Sequence, residues 1–133
     1  MKEVIDFLTA NNTGFLGTVE GDKPHVRPFQ FMLEDGGKLF FCTSNKKDVY
    51  AQLKANPHFE FSNTSPNFEW IRVRGEAEFC DDLSIKEKII DSGPLVKSIY
   101  QSASNPIFEI FFIKNGHATI ADFSGQPPKV YEL

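Results

Sequence analysis

At 133 residues the chain suits one domain, which at that size buries roughly two thirds of the surface its unfolded form exposes and needs no covalent staple. Its 14 phenylalanines supply large apolar area with no polar atom to satisfy, which excludes a disordered chain and calls for a core of aromatic-rich strands. A net charge of −4, with no basic run longer than Lys46-Lys47, lacks the electrostatic footprint of a general nucleic-acid binder, so any bound anion must be met locally.

Met1 to Ala10 carries Glu3 and Asp6 and no apolar stretch of signal-peptide length, and nothing elsewhere approaches a membrane span, so a cytoplasmic protein with no membrane partner is expected. Val4, Ile5 and Leu8 at helical spacing before Asn11, Asn12 and Gly14 predict a short amphipathic helix acting as a lid. Three strands follow, Phe15 to Val19, His25 to Leu33 and Lys38 to Thr43, joined by turns at residues 20–23 and 34–37, which makes an antiparallel meander. Asp48 to Ala55 is rich in helix formers, sets Val49 and Leu53 four apart and stops at Asn56-Pro57, so a short helix is predicted there.

Phe59 to Asn63 and Glu69 to Phe79 resume the sheet. In the second, Ile71, Val73, Gly75, Ala77 and Phe79 alternate with Trp70, Arg72, Arg74, Glu76 and Glu78, giving one core face and one polar face. Leu83 to Ser92 reads as a helix closed by Gly93-Pro94, and Ile107 to Ile113 with His117 to Ala121 reads as a hairpin turning at Asn115-Gly116. The fold class is therefore mostly β with short helices: some six antiparallel strands in a closed or nearly closed barrel, since closure removes the sheet edges. Ile107 to Ile113 is apolar on both faces, and a second subunit is the expected provider of the extra apolar surface.

Arg27 shares a strand face with His25, Phe29 and Phe31, where its guanidinium can fork onto a phosphate while flat neighbours suit a ring lying along the strand. The alternative is a surface arginine on an edge strand, and Pro28, lacking an N–H, marks an edge or a bulge. Thr43-Ser44-Asn45-Lys46-Lys47 ends a strand and opens a helix, so free amides, hydroxyls and lysine form an anion site, or else Ser44 or Asn45 is a plain N-cap. Trp70 can flank a ring or serve a core or dimer contact. Cys42 and Cys80 read as buried reduced thiols, the three histidines lie apart with no metal spacing, and neither a nucleophile elbow nor a glycine-rich phosphate loop is present.

The segments 14–19 (GFLGTV), 24–29 (PHVRPF), 39–44 (LFFCTS), 47–53 (KDVYAQL), 56–57 (NP) and 70–77 (WIRVRGEA) resemble the pyridoxamine 5'-phosphate oxidase-related FMN-binding split-barrel family along nearly the whole chain. The resemblance implies a six-stranded split barrel and a homodimer with FMN at the subunit interface. Arg27 and Lys47 match the family's phosphate-binding positions, with Ser44 and Asn45 adding donors. Pro28 and Phe29 match positions along the isoalloxazine, Cys42 and Thr43 the strand end beside it, and Trp70 a position where the family carries a polar flavin contact. No arginine or histidine follows His117, so the terminal motif that grips a B6 phosphate is missing, and the closer likeness is to small members such as nitroimidazole-reductase-like proteins. The expected function is an FMN-dependent oxidoreductase of a small molecule, without an assigned acid or base. His25 and Tyr50 are the nearest such groups by position. The alternatives are a flavin-storing protein without turnover, or a barrel that holds heme or a deazaflavin.

Overall fold

The computed structural model describes residues 1–133. Chain order is α1 (Lys2–Ala10), β1 (Thr13–Glu20), β2 (Lys23–Asp35), β3 (Lys38–Ser44), α2 (Asp48–Ala55), β4 (His58–Thr64), β5 (Trp70–Cys80), α3 (Leu83–Asp91), α4 (Pro94–Tyr100), β6 (Phe108–Ala121) and β7 (Lys129–Glu132). The sheet runs β3-β2-β1-β4-β5-β6-β7, and β3 also pairs with β6, so six strands close into an antiparallel barrel with β7 added outside the ring. No helix is long and apolar enough to cross a membrane.

Strand alternation sorts the side chains. Leu16, Phe31, Phe41, Phe61, Val73 and Phe111 fill the interior, and Phe41 meets Phe61 at 5.1 Å and stacks on Phe111 at 5.5 Å between ring centres, separations at which aromatic pairs attract beyond their area burial. α1 adds Val4 and Leu8 to this interior, as the spacing predicted. The outward residues of β3 and the start of β6, among them Phe40, Phe108, Ile110 and Phe112, form a second core with Ile85, Ile89, Ile90, Val96 and Tyr100.

That second core corrects one expectation. β6 is buried on both faces, but the surface covering its outer side is the α3–α4 pair of the same chain, so its apolar pattern is no argument for a second subunit. The predicted final hairpin is also absent: β6 runs unbroken through Asn115-Gly116. Pairing steps from Arg74↔His117 to Glu76↔Lys114, which places one extra residue on β6, a β-bulge, with Asn115 at φ 52°. Gly75 lies opposite, where an added Cβ would come within 2.9 Å of the Lys114 carbonyl oxygen. α3 closes at Asp91 ahead of Gly93-Pro94, as read from the sequence, and α4 extends the structure beyond that stop because Pro94 also opens a new helix. The tail returns as β7 along His117–Ile120, and Lys129 and Tyr131 bond Glu3 of α1.

Candidate functional site at the split between two strands

β2 and β3 are paired from Asp35↔Lys38 to Phe31↔Phe41 and then part. Beyond that point β2 continues along β1, from Gln30 to Lys23, while β3 continues along β6. The divergence opens a cleft of about 300 Å³ lined by Thr13, Pro28, Phe29, Gln30, Met32, Cys42 and Lys47, with Leu95, Val96, Ile99 and Tyr100 of α4 as its far wall. Four of the nine sequence-predicted site residues, Pro28, Phe29, Cys42 and Lys47, therefore meet in one place. Grooves of about 490 and 520 Å³ elsewhere on the barrel contain none of the nine.

Lys47 immediately precedes α2 and is exposed, a cation beside the positive end of a helix dipole. Ser44 accepts from the Lys46 amide at 3.1 Å, which shapes the turn into that helix. Asn45 directs its side-chain amide to Pro106 O and Glu109 Oε2, both at 2.9 Å, tying the turn to the start of β6. Phe29 points inward with its ring 6.1 Å from those of Phe41 and Phe111, and Pro28 faces outward opposite Phe15. Burial pushes the Cys42 thiol up to about 12, against a smaller opposing pull from Lys47, so it is a neutral wall group near pH 7.

Arg27 lies off the cleft wall, on the inner face of β2 where α2 covers the barrel end. Its Nη1 donates to Thr18 Oγ1 at 2.8 Å and to the carbonyls of Leu16 and His25 at 3.2 and 3.3 Å, and Nη2 donates to Gln52 Oε1 at 2.7 Å. Burial lowers its pKa from the ordinary value and Asp48 partly restores it, yet a guanidinium stays protonated. Nε and the second Nη2 hydrogen have no acceptor within the protein. Thr43 Oγ1 is likewise buried without a partner, two residues beyond the last β2–β3 pair. The exposed ammonium and flat apolar walls of the cleft, with a spare guanidinium edge and an orphan hydroxyl on the two strands that border it, are chemically suited to a phosphate-bearing ring cofactor such as FMN.

Trp70 stands apart from this group. It begins β5 opposite Thr64 and Ala121, half-buried on the outer sheet face with its ring 4.9 Å from that of Phe123. His25 Nε2 is 3.4 Å from Glu20 Oε1, and Tyr50 packs edge-on against Phe79 at 5.0 Å; neither lines the cleft. Gln52 and Thr18 were not singled out from the sequence. The available signal was a polar residue between Val49 and Leu53 on the buried face of α2.

The family model described as pyridoxamine 5'-phosphate oxidase matches residues 1–119. The chain belongs to the pyridoxamine 5'-phosphate oxidase family. A NimC/NimA family protein from Clostridium acetobutylicum superposes with a TM-score of 0.92 at 34% identity, over 100% of this chain and 92% of that one. General stress protein 26 of Bacillus anthracis superposes with a TM-score of 0.81 at 22% identity, over 99% of this chain and 98% of that one, which speaks for the fold. General stress protein 26 of Bacillus subtilis (strain 168) is 28% identical over 95 residues, 68% of this chain and 67% of that protein.

Proposed function

We propose that this family member binds FMN at the β2/β3 split and works as a homodimeric, FMN-dependent oxidoreductase on a small molecule. The observation that carries the reading is the convergence of Pro28, Phe29, Cys42 and Lys47 on one cleft beside the cationic Arg27. In this reading Arg27 and Lys47 hold the phosphate, with Ser44, Asn45 and the amides opening α2 shaping the anion end. Pro28, Phe29 and Cys42 lie along the ring and Thr43 supplies a hydroxyl. Trp70, off the cleft of its own protomer, serves the flavin of the partner. FMN, when bound, supplies hydride or electron transfer; the protein's part is to anchor the phosphate, orient the ring and exclude water.

An FMN titration followed by flavin fluorescence, with Arg27→Ala and Lys47→Ala alongside wild type, tests the cofactor. Micromolar or tighter binding is expected. Loss of one charge-assisted phosphate contact weakens it roughly tenfold or more for Arg27→Ala, and less for the exposed Lys47. Steady-state oxidation of NADH or NADPH with a nitro compound or quinone as acceptor then separates an oxidoreductase from a protein that only holds flavin.

A further inference from the structure

Gln52 is an unusual residue for its place. It is 6% exposed on the face of α2 that carries Val49 and Leu53 into the barrel end, where leucine would fill the same space without an amide to satisfy. A buried amide is costly unless bonded, and its Oε1 has two partners: the Thr18 hydroxyl at 2.5 Å and Arg27 Nη2 at 2.7 Å. Thr18, 2% exposed, completes the ring by accepting from Arg27 Nη1 at 2.8 Å. The Thr18 hydroxyl hydrogen goes to Gln52 Oε1, which fixes its orientation, and with Nη1 bonded to Thr18 and two carbonyls and Nη2 to Gln52, both terminal nitrogens of the guanidinium are pinned. What is left over on Arg27 is Nε and one Nη2 hydrogen.

We propose that Gln52 and Thr18 are positioning residues that hold Arg27 with its free guanidinium edge presented to the phosphate of the flavin, and that Gln52 is a neutral amide so that Arg27 keeps its full charge for that anion. This inference rests on the FMN reading. A glutamate at position 52 would offer the same acceptor oxygens but satisfy the cation internally, since an arginine–carboxylate pair is a strong bidentate contact. A leucine would leave the guanidinium charged and its Nη2 end unheld, with only Nη1 still anchored by Thr18 and the Leu16 and His25 carbonyls.

Riboflavin, which has the same ring and no phosphate, separates positioning from general structure. FMN and riboflavin affinities are measured by fluorescence titration for wild type, Arg27→Ala, Gln52→Leu, Gln52→Glu, Thr18→Val and Thr18→Ser. The expected result is a fall of about tenfold in FMN affinity for Gln52→Leu, Gln52→Glu and Thr18→Val, the size of one charge-assisted hydrogen bond, with riboflavin affinity unchanged. Thr18→Ser, which restores the hydroxyl, returns the FMN-to-riboflavin ratio to that of wild type. If Arg27→Ala collapses the ratio while the Gln52 variants leave it intact, or lower both affinities together, the positioning role is overturned and the FMN reading stands. If wild type shows no preference for FMN over riboflavin and Arg27→Ala changes nothing, the phosphate reading itself fails and the inference with it.

Discussion

Thr43 carries a hydroxyl that the barrel buries and leaves unpaired, beside the point where β2 and β3 part. An unmet buried hydroxyl costs about 1 to 3 kcal/mol, so Thr43→Val, which keeps the shape, is expected to raise the melting temperature of the flavin-free protein. If that hydroxyl is held in reserve for the cofactor, the same variant binds FMN several-fold more weakly; scanning fluorimetry with and without FMN reads both effects, and a variant stabilised equally in the two states denies the role. Cys42 makes a second prediction at this scale. An ordinary thiol is roughly a quarter ionised at pH 8, whereas one raised to about 12 by burial is almost wholly protonated. Since the thiolate is the nucleophile, alkylation of Cys42 at pH 8 should run more than about a hundredfold slower than that of a free thiol and accelerate as pH rises, as peptide mapping by mass spectrometry would show.

The bulge in β6 is an element-level device, since a fourteen-residue strand must serve β3 at one end and β7 at the other while pairing with β5 along most of its length. Gly75 permits the close approach. A Cβ there would meet Ile113 Cγ2 at 2.7 Å and the Lys114 carbonyl at 2.9 Å, so Gly75→Ala is expected to cost about 1 to 3 kcal/mol, measured as a lower urea midpoint with unchanged slope. Ile89→Ala, which empties a wholly buried position on the inner face of α3, should cost about 2 to 5 kcal/mol. The same bulge shows where sequence patterning stops being informative. Asn115-Gly116 carries the chemistry of a tight hairpin turn, and only the long-range ladder with β5 makes it a bulge. β1 to β5 were legible because period-2 alternation is local, and α2 because Asp48 and Asn56-Pro57 bracket it. α4 was hidden by a proline that both stops one helix and starts the next, and β7 by a four-residue strand whose partner lies on β6. Around the cleft, Pro28, Phe29 and Cys42 followed from the family resemblance, while Lys47 was readable from the helix start it precedes. Gln52 was not, because its partners lie 34 and 25 residues away and nothing local distinguishes a bonded amide from a solvated one.

At the scale of the whole molecule, the two faces of the barrel wall are treated differently. α3 and α4 cover the outer side of β3 and β6, while Phe15 and Val26, on the outer side of β1 and β2, are 57% and 68% exposed. Phe15 sits opposite the exposed Pro28, and Val26 opposite Gly17, which has no side chain to shield it. Trp70 looks out from the same outer wall, three strands along. The exposed apolar patch of Phe15, Pro28 and Val26 on two paired strands is of the kind that marks an interaction face, and a two-fold dimer would bury it against its own copy. Sedimentation at micromolar concentration is therefore expected to give twice the 15.1 kDa chain mass. Val26→Glu and Phe15→Glu place a charge in that contact and should yield folded monomers with an unchanged circular dichroism spectrum. Because Trp70 is assigned to the partner's flavin, those monomers should also lose FMN affinity although every residue of their own cleft is intact. A charge-bearing variant that stays dimeric would put the interface elsewhere, and a monomer that keeps wild-type FMN affinity would remove Trp70 from the site.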